Sequence, residues 1–138
     1  NFYSDDIIKK MKTIGPQAQF YGFKNQEFVE EKMKNASIVV IPSTWEEPFG
    51  LVAAEAMSNG ACIIASKVGG IPEIIKDNGI LIDKINLKKL SSKIEFLIKN
   101  KQVRENYQRK AWKNFELSSE MSSLKLDRFR ELIISNYF

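Results

Sequence analysis

Residues 37–66, SIVVIPSTWEEPFGLVAAEAMSNGACIIAS, set two short apolar runs on either side of a helix-forming run. SIVVIP (37–42) is a continuous β-branched stretch, the pattern of a strand covered on both faces, and ACIIAS (61–66) repeats it. Between them the sequence predicts a helix that starts near Gly50 or Leu51 and stops at Asn59-Gly60, where glycine supplies the left-handed C-terminal position. The apolar face of that helix, Leu51, Val52, Ala53, Ala54, Ala56 and Met57, surrounds one carboxylate, Glu55. An ionised side chain in such company is costly to desolvate without a partner, so Glu55 requires an explanation. A second carboxylate, Glu47, stands eight positions earlier, ahead of Pro48-Phe49-Gly50.

The pattern continues on both sides. Ser4 is placed to cap a helix reaching Ile14, with Ile7, Ile8, Met11 and Ile14 on one face and Gly15-Pro16 ending it. AQFYG (18–22) reads as a short strand, and Asn25 caps a helix to about Asn35 with Phe28, Val29, Met33 and Ala36 as its stripe. Downstream, a short helix is expected at Pro72 to Lys76 and a fourth strand at GILID. Three helices should follow, striped by Leu87, Leu90, Ile94, Leu97 and Ile98, then Val103, Tyr107, Ala111 and Phe115, then Met121, Leu124, Phe129, Leu132 and Ile133. Strands alternating with helices over short turns predict right-handed crossovers and an α/β fold, a Rossmann-like parallel sheet flanked by helices with a helical C-terminal tail.

At 138 residues and 43% hydrophobic content the chain suits one domain, burying about 65 to 70% of its unfolded surface. The run starts at Asn1 without Met, which predicts a fragment of something longer. No apolar run reaches bilayer-spanning length and the opening NFYSDD is unlike a secretory signal, so a cytoplasmic location is expected. The lone cysteine, Cys62, cannot form an internal disulfide and reads as a small apolar strand residue. The absence of histidine excludes histidine triads and most zinc sites within the chain, and no metal or cofactor is expected. Charge is unevenly placed: residues 1–83 hold 8 Lys/Arg against 11 Asp/Glu, and residues 84–138 hold 13 against 6.

In open parallel sheets ligands bind beyond the carboxyl ends of the strands. The loop from Pro42 to Gly50 leaves SIVVI at that edge and enters a helix whose first amides, at Gly50, Leu51 and Val52, lack intrahelical partners. Such an end accepts phosphate. Glu55 lies about 6 Å further along the axis, its side chain directed back toward that end.

Here the sequence resembles the retaining nucleotide-sugar glycosyltransferases of family 4, in the C-terminal, donor-binding half of their two-domain GT-B fold. The residues that carry the resemblance are IPSTWEEPFGLVAAEAMSNG, then IIASKVGGIPEII and NGILID, over roughly residues 15–100. Glu47 and Glu55 match the family's Glu-x7-Glu motif, and Gly69-Gly70 with Pro72-Glu73 match its downstream loop. The resemblance implies that Glu47, the catalytic candidate, meets donor sugar hydroxyls and that Glu55 meets ribose hydroxyls. It implies further that amides of Phe49, Gly50, Leu51 and Val52 face sugar and phosphates, and that Gly22 and Phe23 approach the nucleobase. The implied reaction transfers a sugar, with retention and without a catalytic metal, from a nucleotide-diphosphate sugar to a glycan or lipid-linked acceptor. Family members usually hold the diphosphate with an Arg and a Lys preceding the region where this chain begins, and no such pair is found here. The acceptor domain and the start of the donor domain are expected outside it, so the isolated fragment should bind donor weakly and transfer nothing.

Plainer explanations exist for single residues. By position alone Glu47 is a solvated loop carboxylate beside Glu46, and Glu55 a partly exposed residue paired with a lysine. Gly60 is a helix stop, Gly69-Gly70 equally a turn, and Glu73 a helix-start charge. Trp45 and Phe49 either pack under the loop or touch ligand. Lys88, Lys89, Lys93, Lys99, Lys101 and Arg104 either face anionic lipid at the inner face of a membrane or form a solvated helix surface. Two other functions compete: a catalytically inactive Rossmann-like domain that binds nucleotide sugar or serves interaction, against which the intact carboxylate pair speaks, and a nucleic-acid-binding domain, for which no recognised motif exists.

Overall fold

A computed structural model describes residues 5–115. Its centre is a parallel sheet of three strands in the order β1-β2-β3, with β1 at Ile38–Ile41, β2 at Cys62–Ser66 and β3 at Ile80–Ile82. The register pairs Ile38 with Cys62 and Ile41 with Ala65, then Ile64 with Ile80 and Ser66 with Ile82. Parallel pairing requires crossovers, and the helices between strands supply them. Before the sheet come α1 (Asp5–Ile14) and α2 (Gln26–Asn35), between strands α3 (Leu51–Ser58) and α4 (Ile71–Ile75), and after it α5 (Leu87–Lys99) and α6 (Lys101–Lys113).

Side chains alternate across β2 and divide the core in two. Ile63 and Ala65 join Ala53, Ala56 and Met57 of α3, Ile71 and Ile75 of α4 and Ala111 of α6. Cys62 and Ile64 face the other way, toward Ile82 and Leu97 of α5. All five residues of β2 are buried, as a doubly covered strand requires. β1 is half-buried over Ile38 to Val40 and fully buried only at Ile41, because among the described residues its outer edge has no neighbour.

The local signals produce the helix ends they predict. Asn25 Oδ1 accepts from the Phe28 N–H at 3.2 Å, and Asn86 Oδ1 accepts from the Lys89 N–H at 2.9 Å. Helix α3 starts at Leu51 and is followed by Asn59 and by Gly60 at φ 65°.

Three expectations change. Residues 18–22 form no strand, since an isolated extended segment has no ladder to satisfy its amides and carbonyls. The apolar stripe of α1 buries nothing completely: Ile7 is 52% and Ile14 58% exposed. The helix expected at 72–76 runs from Ile71 to Ile75. The Ser4 cap and the helix expected from Met121 lie outside the described residues.

Candidate functional site

Beyond the carboxyl end of β1 the chain runs from Pro42 to Gly50 without regular structure and is held to the β2–α4 turn. The Gly70 N–H donates to the Glu47 carbonyl at 2.7 Å, and the Gly69 N–H donates to Glu46 Oε2 at 2.8 Å. A Cβ on Gly69, which has φ +51°, would lie 2.1 Å from the Glu47 carbonyl oxygen, so only glycine permits this contact. Glu46 thus serves the loop itself, a role invisible in the sequence because its partner is 23 residues away.

The loop ends at Gly50, buried at φ 63° and packed against Ile71, and α3 begins. Ala53 and Ala54 donate to the Gly50 carbonyl at 2.9 and 3.1 Å. The N–H groups of Leu51 and Val52 have no acceptor among the described residues. With Leu51 68% and Val52 42% exposed, this helix end opens to solvent rather than being sealed by the protein.

Glu55 is half-buried one turn in and lines a cleft of about 400 Å³ with Phe49, Leu51, Ala54, Ile74 and Phe115. Its carboxylate joins no ion pair among the described residues, so pairing with a lysine does not explain it. Phe49 and Trp45 stand 75% and 64% exposed, out of the loop's packing. Glu47 is half-buried and accepts from the Ser43 hydroxyl. It does not line the Glu55 cleft. The loop brings Glu47, Phe49, Gly50, Leu51 and Val52 to one edge of the sheet, while the two carboxylates face separate surroundings.

Gly22 (φ 64°) belongs to another hollow, of about 320 Å³, between α2 and the outer side of β1. There Tyr21 and Phe28 meet edge-on with centroids 5.0 Å apart, and Lys32 lies within 5.4 Å of both ring centres. Phe23 projects 94% exposed beside it. No residue of α3 or its preceding loop lines this hollow.

Burial of Cys62, which is fully inaccessible, pushes its thiol up from 9.0 to about 11 against a smaller opposing effect of Arg104, the reverse of an activated nucleophile. No group of three His, Cys, Asp or Glu residues assembles a metal site among the described residues. Sequence reasoning passed over Ser43 and Ser66, small hydroxyls at strand ends whose only signal was their place after an apolar run.

The model of the family described as glycosyl transferases group 1 matches residues 6–114. The chain belongs to that family. Relatives include a D-inositol 3-phosphate glycosyltransferase of Paenarthrobacter aurescens, 34% identical over 93% of this chain and 37% of its own length. An uncharacterized glycosyltransferase of Methanocaldococcus jannaschii is 42% identical over 58% of this chain and 20% of its own. Among solved structures, Anabaena HepE in complex with UDP superposes with a TM-score of 0.70 at 25% identity, over 94% of this chain and 37% of that one. WaaG, a glycosyltransferase involved in lipopolysaccharide biosynthesis, shares the fold with a TM-score of 0.71 at 19% identity, over 87% of this chain and 33% of that one. This group 1 chain therefore has the fold of a GT-B C-terminal domain and spans well under half of the relatives it matches.

Proposed function

We propose that this chain is the donor-binding half of a glycosyltransferase that moves a sugar, with retention, from a nucleotide-diphosphate sugar to a glycan or lipid-linked acceptor held by the rest of the protein. The observation that carries the proposal is the open amino end of α3, where among the described residues the Leu51 and Val52 amides have no partner and the Glu55 carboxylate, one turn in, has no ion pair.

In this reading the diphosphate rests on the amides of Leu51 and Val52, where each favourable charge contributes about 0.3 to 1 kcal/mol when exposed and up to about 2 kcal/mol when partly buried. When the bond between the anomeric carbon and the diphosphate breaks, negative charge grows on the leaving group. Fixed backbone dipoles meet it without reorganising, and no metal ion is assigned a part. Glu55 accepts from ribose hydroxyls. Glu47, oriented by the Ser43 hydroxyl, accepts from hydroxyls of the donor sugar. Gly22 and Phe23 bound the base. HepE was solved with UDP and with UDP-glucose, which makes a uridine donor the first to try.

In this reading the protein works in the cytoplasm and touches an anionic membrane face through α5. Leu87 and Ile98 are 83% and 63% exposed there, next to Lys88, and fall about 20° apart around the helix axis. That arrangement suits shallow insertion of apolar side chains beneath a basic rim. Nucleic acid is not assigned as a partner.

Calorimetry or ligand-observed NMR against uridine, guanosine and adenosine diphosphate sugars tests the donor site. One base should bind, and Glu55→Ala should weaken it by roughly tenfold or more, the loss of a charged hydrogen-bond acceptor. Equal binding by wild type and Glu55→Ala would remove the assignment.

A further inference from the structure

A second cleft, of about 200 Å³, lies where all three strands end, away from the Glu55 cleft. Ser43 and Thr44 reach it from β1, Ser66 and Val68 from β2, and Ile82 and Lys84 from β3. Ser66 is 1% exposed, and its Oγ finds no hydrogen-bond partner among the described residues. A buried hydroxyl without a partner sacrifices the hydration it had in the unfolded chain and gains nothing in return, so it calls for a ligand.

The wall chemistry says which kind. Thr44 and Ser66 bring hydroxyl-bearing residues to the wall and Lys84 a cationic one, while among the described residues no acidic residue lines the cleft, as a cation would require. Glu47 stands behind Ser43 and occupies that hydroxyl's proton. No aromatic platform or side-chain amide is present to recognise a neutral sugar. Outside the lining, Lys89 Nζ donates to the carbonyls of Asp83 and Lys84 at 2.8 and 3.3 Å and so fastens the turn that carries Lys84. Asp83, exposed next to Lys84, keeps its carboxylate off the wall.

We infer that this cleft is an oxyanion subsite that takes a phosphate or carboxylate group, separate from the amino end of α3. The inference does not rest on the donor assignment, because Thr44, Ser66 and Lys84, which would hold the anion, have no part in it; the shared wall residue Ser43 is already committed to Glu47. An anion there accepts from the Ser66 and Thr44 hydroxyls and lies against Lys84, with Val68 and Ile82 excluding water from its other side. Charged hydrogen bonds from an ammonium and hydroxyls are short and about twice as strong as neutral ones, which suits a small anionic group.

The test is a titration of the isotope-labelled chain with inorganic phosphate, followed at backbone amides and run against sodium chloride of matched ionic strength. Amides of Val68, Lys84 and Ile85 should shift, Lys84→Ala should weaken the response by roughly tenfold and Ser66→Ala by severalfold. Glu55→Ala should leave it unchanged. A sugar phosphate tried beside inorganic phosphate distinguishes a free anion from one carried on a sugar: tighter binding of the sugar phosphate means a carried group, and equal or weaker binding a free one. Shifts confined to Leu51 and Val52, an equal response to chloride, or the same affinity in Lys84→Ala would each dispose of the subsite. Ser66→Ala removes only an unpartnered hydroxyl, so the variant should fold, and its far-ultraviolet dichroism verifies this.

Discussion

Gly69 joins loop to turn through a distance no other residue tolerates. Its φ of +51° is left-handed, and a Cβ would fall 2.1 Å from the Glu47 carbonyl oxygen and 2.6 Å from its nitrogen. Gly69→Ala should therefore push the Glu47 loop off α4, costing roughly 2 to 4 kcal/mol from backbone strain and overpacking together. A urea midpoint unchanged from wild type would show that the loop is not seated there. Cys62 supplies a prediction of the opposite kind, about pH. Its folded-state thiol is raised to about 11 from 9.0, so the native state holds its proton more tightly than the unfolded chain. The contribution is fully present below pH 9.0 and lost as pH rises through about 11, a loss of about 2 to 3 kcal/mol. Thermal melts at pH 8 and pH 11 should differ by more in wild type than in Cys62→Ala, and a thiol reagent at pH 7 should react only after unfolding. Equal pH dependence in the two proteins would assign the alkaline loss to other groups.

At the scale of elements, two caps of the same chemistry should behave differently. Asn86 caps α5, which locks Leu97 into the second core, so Asn86→Ala should lower global stability by about 1 kcal/mol. That corresponds to a melting point roughly 3 to 6 °C lower. Asn25 caps α2, which buries only Met33, and Asn25→Ala should instead speed amide exchange over the first turn with little change in melting. Exchange that rises uniformly across the molecule in Asn25→Ala would show α2 to be part of the cooperative core. The same distinction explains what the sequence revealed. Caps, glycine stops and the doubly covered run of β2 are local features, legible because the residues responsible lie within a turn of each other. The segment 18–22 was misread because a strand is defined by a neighbour, and pairing cannot be deduced from the segment alone. The start of α3 and the place of Glu55 one turn inside it were legible locally, whereas the separate surroundings of Glu47 and Glu55 were not. The seating of Glu46 on Gly69 and the buried Ser66 hydroxyl depend on residues brought together by the crossovers, and only the structure exposes them.

For the whole molecule the question is what the positive half of the chain does. The basic surface expected from sequence shrinks on inspection: Lys99 pairs with Glu95 at 2.6 Å and Lys101 with Glu105 at 3.6 Å. Arg104 turns inward, its Nη1 donating to the Leu97 carbonyl at 2.9 Å and closing the end of α5. Exposed pairs of this kind contribute little to stability, yet they cancel charge that would otherwise attract lipid. What remains on α5 is Lys88 on the side of the exposed Leu87 and Ile98, with Lys93 about 120 to 140° away around the helix axis; each lysine near an anionic surface would add about 1 kcal/mol to a small apolar contribution. Co-sedimentation with vesicles rich in anionic lipid should therefore be weak and fall steeply between low and physiological salt, because surface charge is screened within about 8 to 10 Å. Leu87→Ser and Lys88→Glu should each reduce it, the first at all salt concentrations and the second chiefly at low salt. Equal retention on neutral vesicles would mean that charge plays no part, and no retention at low salt would leave α5 as a solvated outer face of the domain.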